Sequence, residues 1–461
     1  MFDKDAILEL QEIVGSDHVR QDAKTLNEYS SDALKQPGNA EVVVLPNTTD
    51  EVAAITRLCH DQRLPITPRG GGTGYSGGAV PLAGGVILAL DRMNKILSIE
   101  PENLLAVVQP NVYTAELQRA AADRNLFYPP DPASADKCVI GGNVAENAGG
   151  PRAFKYGTTG RYILGLEAVL PNGSIIRTGG KTIKYVAWYD LTHLIVGSEG
   201  TLAIVTEVTI RLIPKPATRR TLCVGFEDIP EAIELVHTVI AEGITPSSIE
   251  LIDNVCLSFL DANDKASFGL NNSGSLLIME VDGTEHITAE DATLLETLCR
   301  KNKATAVVTA RDDIRREEIW SIRKALSLVL RSKAPLKINH DVVVPISKIS
   351  SLFEWISTVR SDSELTIACF GHVGDGNIHV NILVDPLDTV VMERARQVEK
   401  ELFKTVVSLD GSISGEHGIG YSKARHLSLQ LTDETINAME AVKAAFDPHG
   451  ILNPGKIFEA K

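Results

Sequence analysis

The chain has 461 residues, 44% hydrophobic and 23% charged, which is length for two or three domains and excludes disordered, collagenous and coiled-coil classes. Forty-five Lys and Arg against 60 Asp and Glu leave a formal charge of −15, so the surface repels a phosphate backbone and nucleic acid is not expected as a partner. The closest cysteines, Cys223 and Cys256, are 33 residues apart and no CxxC unit occurs, which excludes ordinary iron–sulfur and zinc-ribbon ligation and fits reduced thiols in a cytoplasmic protein.

The N-terminal MFDKDAILELQEIVG carries acids where a secretory signal carries bases, and no apolar run reaches the length of about 18 residues that spans a bilayer. Neither a signal peptide nor a transmembrane segment is expected; peripheral contact at the inner face of a membrane stays open. Residues 40–68 read as strand, helix, strand. The β-branched AEVVVLP comes first, then a capping box from Thr48 to Glu51 opens a helix with Val52, Ile55, Leu58 and Cys59 on one face, and RLPITP returns. A glycine-dense segment, Gly70 to Gly85, precedes the strands GVILAL and LLAVVQ and a helix near Thr114–Asn125. Strand-rich text with further glycines continues to Leu212, and Lys215-Pro216 reads as a linker.

Beyond it the pattern changes. TLCVGF, Pro230–Gly243, SSIELID, SLLIMEV, Ile287–Lys303 and TAVVTA give the order βαββαβ, the ferredoxin-like split unit. Long helices follow at Asp312–Lys333, Ser347–Ser361 and Thr389–Ser408, with two strands around Gly371–Leu383, and the chain closes with a helix at Asp433–Phe446 and the turn-rich DPHGILNPGK.

PRGGGTGYSGG (Pro68–Gly78) contains a GxGxxG at Gly72, Gly74 and Gly77. A dinucleotide fingerprint requires a helix directly after it; here AVPLAGG leads into a strand, so that reading fails on context. Consecutive residues without Cβ still let backbone N–H groups converge on one point, with Arg69 next door, and a pyrophosphate is the natural guest; a plain surface loop is the alternative. Two further glycine-rich segments, Cys138–Thr159 and Val196–Leu212, favour an extended ligand contacted along its length.

His372 and His379 flank GDG, which can turn the chain back and set both imidazoles on neighbouring strands, and Asn377, His379 and Asn381 share one face by the two-residue period. Glu416 and His417 lie between Gly415 and Gly418, where adjacent side chains point apart. Two imidazoles and a carboxylate suit Zn²⁺ or another divalent ion; a hydrogen-bonded histidine pair supporting a glycine turn is the alternative. Arg323 lies on a helix with Trp320 and Ser327 on the same face, and from the residues alone reads as a solvated arginine.

The three glycine-rich segments, in this order, resemble the flavin-binding domain of the vanillyl-alcohol oxidase / p-cresol methylhydroxylase family. GHVGDGNIHVNI, SGEHGIG and FDPHGILNPGK resemble its D-2-hydroxy-acid branch, which includes D-lactate dehydrogenase, the D subunit of glycolate oxidase and D-2-hydroxyglutarate dehydrogenase. The resemblance implies an α+β fold: an FAD-binding domain over 1–215, a ferredoxin-like substrate (cap) domain over 216–415 and a C-terminal helical segment, 416–461, packing back on the FAD domain. It implies FAD held by Pro68, Arg69, Gly70, Gly71, Gly72, Thr73, Gly74, Ser76 and Gly77 at the pyrophosphate. Gly141, Gly142, Asn143 and Gly149, with Pro132 and Asn147, would serve the isoalloxazine and ribityl region. Gly197, Glu199, Gly200 and Ile204 would lie on the adenine side, and Asn453 would close over the flavin. The first loop has no histidine and Cys138 only borders the second, so the FAD is expected to be non-covalent.

The resemblance further implies a metal, zinc first with Mn²⁺ or Fe²⁺ as alternatives, on His372, His379 and Glu416, with His417 as general base and Arg323 and Asn381 orienting the substrate. Ser327 replaces a threonine of the hydroxyglutarate enzymes. Aligning on Asp341 puts Asn339 where their lysine stands, with Lys337 two residues earlier, which favours smaller acids. The implied activity is oxidation of a D-2-hydroxy acid to the 2-oxo acid. Electrons would pass to an external acceptor, either electron-transfer flavoprotein, a quinone or an iron–sulfur subunit, and a homodimer is compatible. A metal-dependent hydrolase and a non-catalytic flavin subunit of a larger complex are the rivals.

Overall fold

The Thr48 hydroxyl accepts the Glu51 N–H at 3.2 Å and the Glu51 carboxylate accepts the Asn47 N–H at 2.6 Å, so the helix Thr49–Gln62 starts where its capping box lies. Its predicted face, Val52, Ile55, Leu58 and Cys59, is buried. Truncating a core side chain such as Ile55 to alanine costs roughly 2–5 kcal/mol. This computed structural model describes residues 4–187 and 189–459 and divides into two units. One comprises the described residues of Met1–Gly149, Thr158–Lys215 and Glu416–Lys461; the other comprises Gly150–Gly157 and Pro216–Gly415. No helix among the described residues is long and apolar enough to cross a membrane.

The first unit holds two larger sheets. Val42–Val44, Val86–Ala89 and Ile66–Arg69 run parallel in that spatial order, with Val19–Arg20 antiparallel at the edge. Val42, Val44, Ile66 and Val86 of these strands, Ile55 and Leu58 of the helix, and Ile451 and Leu452 form one core. Ile66 N–H donates to Ile451 O at 2.9 Å and Asn453 N–H to Ile66 O at 2.8 Å, so LNPGK is hydrogen-bonded to the strand that delivers the first glycine loop. The second sheet is antiparallel, in the order Ile96–Glu100, Leu105–Val108, Ile204–Arg211, Ile163–Val169, Ile175–Gly179.

The second unit is a seven-stranded antiparallel sheet built from β1 (Thr218–Phe226), α1 (Ile229–Ala241), β2 (Ser248–Ile252), β3 (Ser275–Gly283), α2 (Glu285–Lys301), β4 (Ala306–Thr309), α3 (Asp313–Lys333), β5 (Leu336–Val343), α4 (Ile349–Ser363), β6 (Thr366–His372), β7 (Asn377–Val384) and α5 (Thr389–Ser408). The spatial order β4-β1-β3-β2 is that of the ferredoxin-like unit. It is continued by β6-β7-β5, so the ferredoxin-like part is four strands of seven. In the segment Gly150–Gly157, Phe154 lies against Gly374, Lys155 Nζ donates to Asp282 Oδ1 at 2.6 Å and Tyr156 OH to Asp282 Oδ2 at 2.8 Å.

Candidate active site: backbone amides and a polar sheet face

In the first glycine loop the main chain is the functional group. Among the described residues, the N–H groups of Gly70, Gly71, Gly72, Thr73, Gly74 and Ser76 donate no hydrogen bond. A run of unengaged amides needs an acceptor, and a pyrophosphate supplies one. Gly71 explains its own identity: a Cβ there would sit 2.6 Å from Lys137 O. Arg69 lies against the loop, where a Cβ on Gly72 would sit 2.2 Å from its Nη2. Its Nη1 donates to Ser31 O at 2.7 Å and its guanidinium lies 5.4 Å from the Tyr29 ring centre, so it holds the loop to the preceding chain.

Several side chains expected at the cofactor make hydrogen bonds within the protein. Asn143 is buried and donates to Thr114 Oγ1 at 2.6 Å; Asn147 Oδ1 accepts the Gly160 N–H at 2.8 Å. Asn453 Nδ2 donates to Gly78 O and Glu199 O, both at 2.8 Å, tying the first loop to the third. Both carboxylate oxygens of Glu199 accept amides at Ile419 and Gly420. Ile204 is 1% exposed and its side chain belongs to the core, so any contact on the adenine side falls to its main chain. Pro132 accepts the Ala135 N–H at 2.9 Å, and Gly141 packs on Pro110, where a Cβ would come within 2.6 Å of the proline side chain. Gly142 lies in the helix Ile140–Glu146 and Gly149 in the turn after it, Gly197 and Gly200 lie in the third segment, and Gly77 donates its N–H to Asp32 Oδ2 at 3.0 Å. Cys138 is buried with its Sγ 3.3 Å from Thr114 Oγ1, and burial pushes its thiol up, away from the thiolate a covalent flavin link requires.

In the second unit the side chains are the functional groups. The register pairs Phe370 with His379, Ala368 with Asn381, and His379 with Asp341, so β6, β7 and β5 present one face carrying His372, Phe370, Asn377, His379, Asn381, Asn339 and Asp341. The imidazoles of His372 and His379 have ring centres 5.3 Å apart. Each has a carboxylate at Nδ1: Glu250 Oε1 at 2.5 Å from His372, and Asp341 Oδ1 at 3.9 Å from His379. The Glu250 contact orients the His372 ring and leaves its Nε2 available as a ligand atom. Asp341 also accepts from Asn377 Nδ2 at 2.6 Å and from the Gly415 N–H at 3.0 Å. Ligand atoms of His372, His379 and Glu416 lie within 4.8 Å of one another. Two nitrogens and one oxygen with supporting carboxylates fit a divalent ion of the zinc, manganese or iron kind.

Arg323 is 8% exposed, not solvated. Its Nε donates to Glu250 Oε2 at 2.5 Å and its guanidinium lies 4.4 Å from the Phe370 ring centre, while Nη1 and Nη2 make no hydrogen bond among the described residues. That leaves a two-pronged donor for a carboxylate. Burial works to raise the Glu250 carboxyl, but His372 and Arg323 together outweigh it and hold it below the usual range. Asn381 is fully buried. Its Nδ2 donates to Ala368 O and His379 O, both at 3.1 Å, and its Oδ1 has no hydrogen-bond partner among the described residues, so a donor is missing there. Ser327 Oγ accepts from Lys337 Nζ at 2.9 Å; burial, with Arg331 adding repulsion, pushes that ammonium down to about 8. His417 stacks on Tyr75, ring centres 5.2 Å apart, with its Nε2 3.9 Å from Glu416 Oε1. Glu250 escaped sequence reasoning. The signal was there, a lone acid in the strand SIELI, but a strand period cannot say what such an acid meets.

The fold and these groups define a flavin-dependent oxidoreductase. The FAD binding domain profile matches residues 40–179, and the profile of FAD linked oxidases, C-terminal domain, matches residues 215–457. The glycolate oxidase subunit GlcD of Bacillus subtilis strain 168 is 43% identical over 464 residues, covering 99% of this chain and 97% of that one. The D-lactate dehydrogenase of Anaerostipes hadrus is 34% identical over 442 residues, 93% and 92% of the two chains. The crystal structure of p-cresol methylhydroxylase with substrate bound superposes with a TM-score of 0.80 at 18% identity, over 99% of this chain and 96% of that one. The chain belongs to the FAD-linked oxidase family, with the vanillyl-alcohol oxidase / p-cresol methylhydroxylase type of FAD-binding domain and an α+β cap domain. It is an FAD-dependent oxidoreductase acting on a small organic substrate.

Proposed function

We propose that the chain oxidises a D-2-hydroxy acid to the 2-oxo acid. The observation that carries this reading is the polar sheet face, where the His372, His379 and Glu416 donors stand with Arg323, whose two Nη groups await a carboxylate. FAD, when bound along the glycine loops, supplies the hydride acceptor; a divalent ion on the two imidazoles and the carboxylate supplies charge that favours the ionised hydroxyl. Arg323 grips the acid's carboxylate through its planar fork, held in orientation by Glu250. Asn381, on the same sheet face as His379, helps fix the acid's orientation, and a ring nitrogen of His417 takes the hydroxyl proton as general base. Without a CxxC unit the chain hands electrons to an external acceptor, a flavoprotein, a quinone or an iron–sulfur subunit, from a cytoplasmic position. The hydrolase alternative leaves the loop amides without a role.

The test is anaerobic mixing of the purified flavoprotein with D-lactate, glycolate, D-malate and D-2-hydroxyglutarate. Loss of the visible flavin absorbance with at least one acid is expected, and removal of bound metal should abolish it. No bleaching with any of them would point to a non-catalytic flavin subunit. Lys337 on Ser327, one turn beyond Arg323, favours a second reading in which the acid carries a second carboxylate. A KM for D-malate well below that for D-lactate, lost on Lys337→Met, would select it.

A further inference from the structure

Glu199 occupies the turn VGSEG with φ 52, in the left-handed region, between Gly197 at φ 77 and Gly200 at φ 67. A glycine would take this backbone without strain, so the carboxylate at 199 is the feature that asks for a reason. Its Oε1 accepts the Ile419 N–H at 2.7 Å and its Oε2 accepts the Gly420 N–H at 2.6 Å, the two amides that follow His417-Gly418. On the other side of the same turn stands Glu146. A Cβ on Gly418 would lie 2.3 Å from Glu146 Oε2 and 2.9 Å from Glu199 Oε1, so the two carboxyl groups enclose the Gly418 backbone. Glu146 Oε2 is buried with no hydrogen-bond partner among the described residues, and its Oε1 is 3.4 Å from Ser76 Oγ. Burial, then the charge of Glu199, pushes the Glu146 carboxyl well above the usual range, and burial pushes the Glu199 carboxyl up as well. Ser76 O accepts the N–H groups of Tyr421 at 2.9 Å and Ser422 at 3.1 Å, so the clamp continues into the first glycine loop.

We propose that Glu199 is a positioning residue for His417: its carboxylate, with Glu146 as the opposite wall, fixes the turn that carries the base, while Tyr75 fixes the ring. The inference rests on the reading of His417 as the base. It explains why an acid stands in a turn whose shape alone favours glycine, and why residue 418 carries no side chain.

Glu199→Gln tests it, because an amide side chain keeps one acceptor and sets an NH₂ group against the second N–H. Two measurements on the purified flavoprotein decide. Hydrogen–deuterium exchange of a peptide covering residues 415–422 should speed up in the variant. The rate of flavin reduction at saturating acid should fall about a hundredfold, with KM within about threefold and flavin content unchanged, the pattern of a misplaced group and not of lost binding. Gly418→Ala, which pushes the same turn from the side of both acids, should give the same split, and the double variant should fall no further than the worse single one. Unchanged exchange in Glu199→Gln overturns the proposal, as does faster exchange with an unchanged rate, or a rate loss matched by loss of flavin. If wild-type protein is reduced by none of the acids, the functional reading fails, and the exchange arm alone still decides whether Glu199 holds the turn.

Discussion

Two of the four arginines of helix α3, Arg316 and Arg323, stand seven residues apart, and each meets a buried glutamate on one of two adjacent strands, yet the two pairs serve different ends. Arg316 Nε donates to Glu280 Oε2 at 3.0 Å; Trp320 Nε1 donates to the same oxygen at 3.0 Å and Thr221 Oγ1 at 2.6 Å. That carboxylate is surrounded by the protein's own donors and closes on itself. Glu250, one strand over, accepts from Arg323 Nε and meets His372 Nδ1, which orients two groups whose outer atoms remain available. Residue types, helix face and burial are the same in the two places. What separates structure from chemistry is the set of donors and ligand atoms left over once the local hydrogen bonds are made.

The sharpest way to break this comparison is at the ligands. His379→Ala should slow flavin reduction by about three orders of magnitude, since several kcal/mol of stabilisation of the ionised hydroxyl would go with the metal site. Rapid mixing reads the rate, and an unaltered flavin spectrum shows that the other unit is intact; a rate within tenfold of wild type would return the histidines to the structural reading. Arg323→Met comes next. A charge-assisted contact contributes about 1.5–3 kcal/mol, so kcat/KM should fall roughly ten- to a hundredfold, through KM more than through kcat. Arg316→Met is the control for that loss. Removing one partner of a buried pair costs about 3–5 kcal/mol of stability, visible in urea unfolding, while turnover per folded molecule should stay within about twofold. If Arg316→Met slowed turnover as Arg323→Met does, the distinction between the two pairs would be lost.

Much of this architecture was legible in the chain. The capping box at Thr48, the βαββαβ order and the polar alternation Asn377, His379, Asn381 each depend on local chemistry with a fixed period, and each is found where the pattern places it. The strand Leu336–Val343 was not legible, because Lys337, Asn339 and Asp341 put polar groups at the inward positions where apolar ones announce a buried strand. Side-chain direction was equally hidden. Arg69, Asn143 and Glu199 all lie in the glycine-rich segments as expected, but their partners are Ser31, Thr114, Ile419 and Gly420, brought together only by the folded chain. Glycine composition shows where backbone is laid bare, and it is silent on which neighbouring side chains hold that backbone in place.

A third contact of α3 gives the smallest predicted effect. One turn beyond Arg323, Ser327 accepts from Lys337, whose ammonium burial pushes down to about 8 from an ordinary 10.5. In the folded chain the charged form is disfavoured, so below pH 8 the folded state bears the full penalty of keeping that proton. Between about pH 8 and 10.5 the unfolded chain binds the proton and the folded one does not, so wild-type stability rises with pH through this window. Lys337→Met removes the penalty. The variant should be more stable than wild type at pH 7, with the gap closing by about pH 10.5, as read from urea midpoints at the two pH values. The same variant should oxidise a monocarboxylic acid at the wild-type rate. A pH-independent gap would mean that the lysine's stem, and not its charge, determines its contribution, and would place this contact with the closed pair at Glu280 instead of the open one at Glu250.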